Sequence, residues 1–233
     1  MGEDRPVLNS EEFENMLRGT ERSYWDKHPF HQRMDAGELD PGDLRAWVAN
    51  RWYYQRSLPQ KDAAIVANCP LPEIRRQWLP RISYHDGTSG GDGGCARWLL
   101  LAEAVGLSRE EVTDERHVLP GVRFAVDSYV TFARTRPWVE GIASSLTELF
   151  APEAMATRVT AFRRYYPWID HEALSYFDAR IPQAREECAD ALGIVLAHCT
   201  SRESQDAAAR ALEFKTDVLW SMLDAIDHSR PAL

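Results

Sequence analysis

The segment Asp40-Pro41-Gly42-Asp43-Leu44-Arg45-Ala46-Trp47-Val48-Ala49-Asn50-Arg51-Trp52-Tyr53-Tyr54-Gln55-Arg56-Ser57-Leu58-Pro59 opens with a helix start signal. An Asp side chain can accept from first-turn N–H groups, and a Pro at the first helical position gives up an N–H that has no partner there anyway. Behind it Leu44, Trp47, Val48, Arg51, Tyr54, Gln55 and Leu58 recur at three- and four-residue steps, which is one face of a helix. Pro59 is expected to kink or restart that helix, with Lys61 to Asn68 continuing it.

The same period extends through the rest of the chain. Asn9 to Glu12 and Ser108 to Glu111 read as capping boxes. Pro72 opens a helix carrying Ile74, Trp78, Ile82 and His85. Asp86 to Gly94 holds five glycines in nine residues and reads as a loop, either a mobile lid or a plain connector. Ala96 to Val105 is helical, with Gly106 as its C-cap. Further helices are predicted from Pro120, from Trp138 to Phe150, and from there to Tyr166. Asp170 is expected to cap a long segment through Leu196, and Ser201 the last helix. Period-two alternation is nearly absent, so the predicted fold is all-α, a compact bundle of about seven helices. Residues 1–233 read as a single helical domain.

With 44 % apolar and 27 % charged residues the chain has the composition of an ordinary globular protein. Its net charge of −9 makes nucleic acid or an anionic membrane a poor partner. Met1 to Pro6 lacks the basic and apolar regions of a secretory signal. Cys69, Cys95, Cys188 and Cys199 form no Cys-x-x-Cys pair. They read as buried thiols in a reducing, cytoplasmic compartment.

Cations break the apolar stripes of several helices. Arg51 lies four after Trp47, Arg81 three after Trp78, Arg158 three after Met155, and Arg180 four after Tyr176. Lys215 sits between Leu212 and Leu219, and Lys61 follows Pro59. Any one of these could snorkel to water or find a protein carboxylate. Together, interleaved with Tyr24, Tyr54, Tyr129, Tyr176 and His85, they point to a central cavity lined by cations and phenols. Its ligand would be a planar small molecule with several carboxylates, the groups Arg grips through two parallel bonds. His85, beside the glycine run, is the candidate for proton transfer. Tyr176 could bond a developing oxyanion. A dipole-stabilised terminal His and a core-edge Tyr are equally consistent with the pattern.

Metal and nucleotide motifs are missing. Glu-x-x-His does not occur, Asp114-x-x-His117 stands alone, and His28-Pro29-Phe30-His31 crowds a proline. There is no Gly-x-Gly-x-x-Gly, Walker loop or Gly-x-Ser-x-Gly. Redox chemistry would therefore lean on the substrate.

Several segments resemble the pyrroloquinoline quinone synthase family of the haem-oxygenase-like, TenA-like superfamily. They include His28 to His31, Trp47 to Gln55, Pro59 to Ile65, His85-Asp86-Gly87, Glu115 to Asp127, Ser144 to Pro152 and Phe214 to Ala225. The likeness holds one register from about residue 13 to 226. It implies a haem-oxygenase-like bundle, a homodimer, and an oxidase without metal or organic cofactor. The implied reaction is the last step of pyrroloquinoline quinone (PQQ) biosynthesis. The bicyclic quinone precursor AHQQ would be ring-closed and oxidised with O2 as co-substrate, giving PQQ as product and releasing H2O2. Matched by position, substrate-binding roles fall on Tyr24, Arg51, Tyr54, Gln55, Lys61, Arg81, Tyr129, Arg158 and Lys215, and catalytic roles on His85, Tyr176 and Arg180. The chain departs from the family pattern at Trp25 and Met155, where a histidine is expected. Neither can shuttle a proton, and either would narrow or dry the cavity. The alternatives left open are a divergent member with an altered substrate and a non-catalytic protein that binds PQQ or another small molecule. A hydrolase with a cysteine nucleophile and an iron oxygenase share the same architecture.

Overall fold

The computed structural model describes residues 5–89 and 91–229. Residues 1–4 of the amino-terminal segment, Gly90 of the glycine run and residues 230–233 lie outside the described residues. The described residues form eleven α-helices and four short 3-10 turns, with no strand among them. In chain order the helices are α1 (Ser10–Arg18), α2 (Pro29–Ala36), α3 (Pro41–Asn68), α4 (Pro72–Asp86), α5 (Gly94–Ala104) and α6 (Arg109–Thr113). They continue with α7 (Pro120–Thr135), α8 (Trp138–Ser144), α9 (Ala151–Tyr165), α10 (Ser175–His198) and α11 (Arg202–Ser229). Seven of them (α3, α4, α5, α7, α9, α10 and α11) run to eleven residues or more, and these are the long segments the periodicity predicts.

Local chemistry accounts for the helix starts. Asn9–Glu12, Asp40–Asp43 and Ser108–Glu111 all form reciprocal capping boxes. The Ser201 hydroxyl accepts from the Ser204 N–H at the head of α11. Three expectations are corrected. Residues 138–150 are not one helix: α8 stops at Ser144 and a 3-10 turn covers Ser145–Leu149. Asp170 caps the 3-10 turn His171–Leu174, and α10 begins only at Ser175. Pro59 does not divide α3, which runs unbroken through it. Its ring leaves the Gln55 carbonyl without a helical donor, and the Cys95 thiol points at that oxygen from 3.9 Å.

α3 is the axis of the molecule. Ala46 to Gln55 are all buried. A surface helix buries a stripe, whereas one buried all round is central. α4, α5 and α7 pack on it, α11 packs on α7 and α8, and α10 on α9. Two apolar clusters lie along this axis. One gathers Trp47, Trp98, Tyr129, Phe162, Phe177 and Leu219, and the other Ile65, Trp78, Ile142 and Leu212. On α3, Lys61 lies between Tyr54 of the first and Ile65 of the second. On α11, Lys215 lies between Leu219 and Leu212. Lys61 and Lys215 therefore occupy the seam between two apolar clusters.

Asn50 ties α3 to the connector before α7. Its Nδ2 donates to the carbonyls of Ala46 (2.9 Å) and His117 (3.2 Å), and its Oδ1 accepts from the Leu119 N–H (2.8 Å). Replacing it leaves buried backbone groups unpaired. Asn50→Ala is expected to cost about 2–4 kcal/mol, read as a lower urea midpoint with an unchanged m-value.

Candidate active site

A partly open cavity of about 80 Å³ lies within the first cluster, with Lys61 of the seam on its wall. At about 10–15 Å³ per water-sized group, it accepts several polar atoms. Of the twelve site residues predicted from sequence, nine line it: Tyr24, Arg51, Tyr54, Lys61 and His85, with Tyr129, Arg158, Tyr176 and Arg180. Gln55, Arg81 and Lys215 do not reach the wall and stand one layer behind it. Gln55 bonds Arg51 and Tyr176, Arg81 shares Glu148 with Arg180, and Lys215 donates to Tyr54. Trp25 and Met155, the two departures from the family pattern, also line the cavity.

Helical period delivers these groups. Arg51 and Tyr54 on α3 are three apart and face one way, and Lys61 follows two turns on. Tyr176 and Arg180 are four apart on α10. His85 ends α4, where the glycine run folds tightly back. A Cβ on Gly93 would come within 2.5 Å of the His85 carbonyl oxygen and 2.4 Å of the Gly87 nitrogen. Asp92 fastens the loop by accepting from the Thr88 N–H (3.0 Å) and hydroxyl (2.9 Å).

The six inward cations divide into two groups. Lys61, Arg81 and Arg180 have internal carboxylates, the simpler of the two fates considered for them. Lys61 Nζ lies 2.5 Å from Asp62 Oδ1 and donates to Ser145 Oγ at 3.0 Å. Arg180 donates to Glu187 (2.7 Å) and Glu148 (2.6 Å). Arg81 donates to Glu148 at 3.0 Å and to the Glu187 carbonyl at 2.6 Å. Burial opposes ionisation of Glu148, but Arg81 and Arg180 outweigh it and hold the carboxyl below its usual range. Burial and the neighbouring Glu148 charge push Glu187 up.

Arg51, Arg158 and Lys215 form the second group. Among the described residues the only polar partner of the Arg51 guanidinium is Gln55 Oε1 at 3.1 Å. Its flat faces lie over Tyr54 (4.2 Å), Trp98 (5.1 Å) and Trp25 (5.7 Å). Arg158 comes no nearer than 4.0 Å to Asp35, and its Nε and Nη2 have no hydrogen-bond partner among the described residues. Lys215 Nζ donates to Tyr54 Oη (2.7 Å) and sits 3.6 Å from the centre of the Tyr129 ring. Burial, then repulsion from Lys61 and Arg51, lowers the Lys215 pKa well below the usual lysine value. Burial raises the phenols of Tyr24 and Tyr54, so both stay protonated donors.

Glu148, Glu187 and Asp62 were missed as site residues from sequence. A signal was there. Asp62 adjoins Lys61, and Glu187 lies seven residues after Arg180, two turns along the same face. Other motifs prove structural. His28 N-caps α2 through Nδ1 (3.0 Å to the Phe30 N–H) and faces Asp224 through Nε2 (3.2 Å). His31 is buried with Nδ1 on the Trp25 carbonyl (3.0 Å). Among the described residues, no three His, Cys, Asp or Glu side chains are grouped to hold a metal ion. No cysteine lines the cavity, and burial pushes the Cys95 thiol up to about 11 and that of Cys188 to about 12. A thiolate nucleophile has no support there. No helix among the described residues is long and apolar enough to cross a membrane.

An all-helical protein with this chain path has the haem-oxygenase-like fold. A domain of unknown function with a heme oxygenase-like fold from Shewanella denitrificans superposes with a TM-score of 0.79 at 13 % identity, covering 97 % of this chain and 98 % of that one. A TenA homolog from Pseudomonas syringae superposes at 0.75 and 14 % identity over 97 % and 98 %. The chain belongs to the TENA/THI-4/PQQC family, whose model matches residues 14–225. Within it, the chain is 51 % identical over 222 residues to the pyrroloquinoline-quinone synthase of Pseudomonas aeruginosa, covering 95 % of this chain and 89 % of the relative. It is 50 % identical over 223 residues to that of Cronobacter sakazakii, covering 96 % and 89 %.

Burial, then the charges of Arg180, Lys61, Arg51 and Arg81, lowers the His85 pKa well below 6.5. Burial and Arg158 do the same to His31. Both rings are neutral in the folded state at pH 7, whereas an unfolded histidine takes up a proton near 6.5. The unfolded chain then binds more protons, so stability falls as pH drops below about 6.5. His85→Gln and His31→Gln are each expected to flatten that fall in urea midpoints measured from pH 7 to pH 5.

Proposed function

We propose that the chain is an oxidase of the pyrroloquinoline-quinone synthase type, closing a ring of the bicyclic precursor AHQQ and oxidising it to PQQ with O2, with release of H2O2. Support comes from one feature of the cavity: Arg51 and Arg158 line it, and Lys215 stands directly behind it on Tyr54, without carboxylates that satisfy them. A buried cation left this way costs several kcal/mol, a cost that the carboxylates of a bound polyacid offset. The half-identical pyrroloquinoline-quinone synthases of Pseudomonas aeruginosa and Cronobacter sakazakii point to the same ligand class.

In this reading Arg51 and Arg158, helped by Lys61 and Tyr24, grip the substrate carboxylates, and Lys215 adds its charge from behind Tyr54. Tyr54 and Tyr129, stacked at 11° with centroids 6.4 Å apart, present a flat apolar face beside them. Arg81 and Gln55 hold the groups in front of them. His85 moves the proton at ring closure and C–H cleavage, and it starts as a neutral imidazole. The reduced ring system gives its electrons to O2, and Tyr176 with Arg180 stabilises the charge that develops on oxygen. No metal or organic cofactor takes part. The working form is a cytoplasmic homodimer with a polycarboxylate quinone as its partner and no nucleic acid.

The decisive experiment mixes the protein with AHQQ without oxygen, then admits O2, following absorbance and mass. PQQ and peroxide are expected only after O2 enters. PQQ binding without O2 uptake would favour a carrier, and unreacted AHQQ beside another turned-over acid an altered substrate. His85→Ala is expected to stall turnover while PQQ affinity stays within about threefold. Arg158→Ala is expected to weaken PQQ binding by roughly 10- to 100-fold, the worth of a charge-assisted bond, measured by calorimetric titration.

A further inference from the structure

Gln55 lies at the centre of a hydrogen-bond chain directly behind the cavity wall. Its Oε1 is 3.1 Å from Arg51 Nη1 and 2.8 Å from Tyr176 Oη, and its Nε2 is 2.9 Å from His85 Nδ1. The amide is fully buried. Its orientation follows from donor and acceptor chemistry. A guanidinium only donates, so the atom facing Arg51 must be the carbonyl oxygen. Turning the amide over would set an NH2 group against Arg51 inside a site already rich in positive charge. Tyr176 can either donate or accept and imposes nothing, so Arg51 is the group that decides. With the oxygen committed to Arg51 and Tyr176, the NH2 must donate to His85 Nδ1. That nitrogen is then an acceptor, and the proton of the neutral ring sits on Nε2. Nε2 has no protein partner among the described residues, and the ring forms part of the cavity wall.

The contact is sterically provided for. A Cβ on Gly94, the first residue of α5, would lie 3.3 Å from both Gln55 Nε2 and His85 Nδ1. Only a glycine leaves the two nitrogens undisturbed.

We propose that Gln55 is a positioning residue for catalysis: locked by Arg51, its amide fixes His85 as the Nε2–H tautomer, so that the ring meets the bound molecule as a hydrogen-bond donor. His85 can accept a proton from substrate only if Nε2 is first vacated, which requires Nδ1 to carry the hydrogen and Gln55 to present its oxygen. That reversal becomes available when Arg51 leaves Gln55 for a carboxylate of the ligand. The cation that recognises the substrate therefore also holds the tautomer of the proton-transfer group. This builds on the oxidase reading above, but the tautomer exists in the free protein and is measured without turnover.

The test is nitrogen NMR of the full chain with 15N-labelled imidazoles, the His85 signals being identified by their loss in His85→Gln. The wild type near neutral pH is expected to show a pyridine-like Nδ1 and a pyrrole-like Nε2. In Gln55→Glu the carboxylate can only accept, so Nδ1 becomes protonated. In Arg51→Met the amide is free to turn, and an Nδ1–H population appears. A wild type with Nδ1 protonated, or an unchanged His85 signature in a folded Arg51→Met, overturns the proposal. Should Gln55→Glu fail to fold, Arg51→Met decides alone. In O2-uptake assays with AHQQ, Gln55→Glu is expected to lower kcat roughly 100-fold with KM within about threefold. If AHQQ is no substrate, the NMR result still stands, and if the tautomer is wrong, the oxidase reading is untouched.

Discussion

Positive charge buried in excess of nearby carboxylate is the constraint on which the centre of this protein depends. Water would solvate these cations far better than protein does, and taking one inside unpaired costs several kcal/mol. The fold meets that cost by placement. Lys61 and Lys215 lie where two apolar clusters join. Arg51 is sandwiched among Tyr54, Trp98 and Trp25, whose ring faces replace part of the lost hydration. Lys215 uses Tyr129 and Tyr54 in the same way. What aromatic faces cannot supply is a full negative charge, and the cavity beside them has room for one.

The paired half of the cluster has a different physical job. Arg81 on α4, Arg180 on α10, Glu148 in the turn after α8 and Glu187 on α10 form a closed set of charge-assisted bonds. Such bonds join three separate segments and fix a guanidinium in direction as well as position. Arg180 reaches the cavity already oriented. The wall therefore has a rigid, charge-balanced side next to His85 and Tyr176 and an unbalanced side at Arg51 and Arg158, backed by Lys215. The proposed reaction would use the two sides differently, the unbalanced one for acid groups and the balanced one for reduced oxygen.

The solved structures with the same chain path share only 13–14 % of their residues with this chain, and the likeness is one of fold. The curated relatives at about half identity share the chain over nearly its whole length. A helical bundle needs only apolar stripes at the right period, whereas lysines and arginines inside the stripes serve no packing purpose.

Much of the bundle is determined by local sequence. Asn9, Asp40, Ser108 and Ser201 start helices because their side chains satisfy first-turn N–H groups within three residues, and no distant contact is needed. The recurrence of Trp47, Arg51, Tyr54 and Gln55 likewise sets which side chains share a face of α3. Tertiary structure decided the rest, because it depends on what lies across the space between helices. The continuity of α3 through Pro59 and the early end of α8 are fixed by neighbours, not by propensity. Which cations are neutralised follows from how α4, the 145–149 turn and α10 approach one another, so Glu148 cannot be paired with Arg180 from spacing. The direction of the Gln55 amide, and with it the proton on His85, exists only because Arg51, Tyr176 and His85 from three helices converge on one side chain.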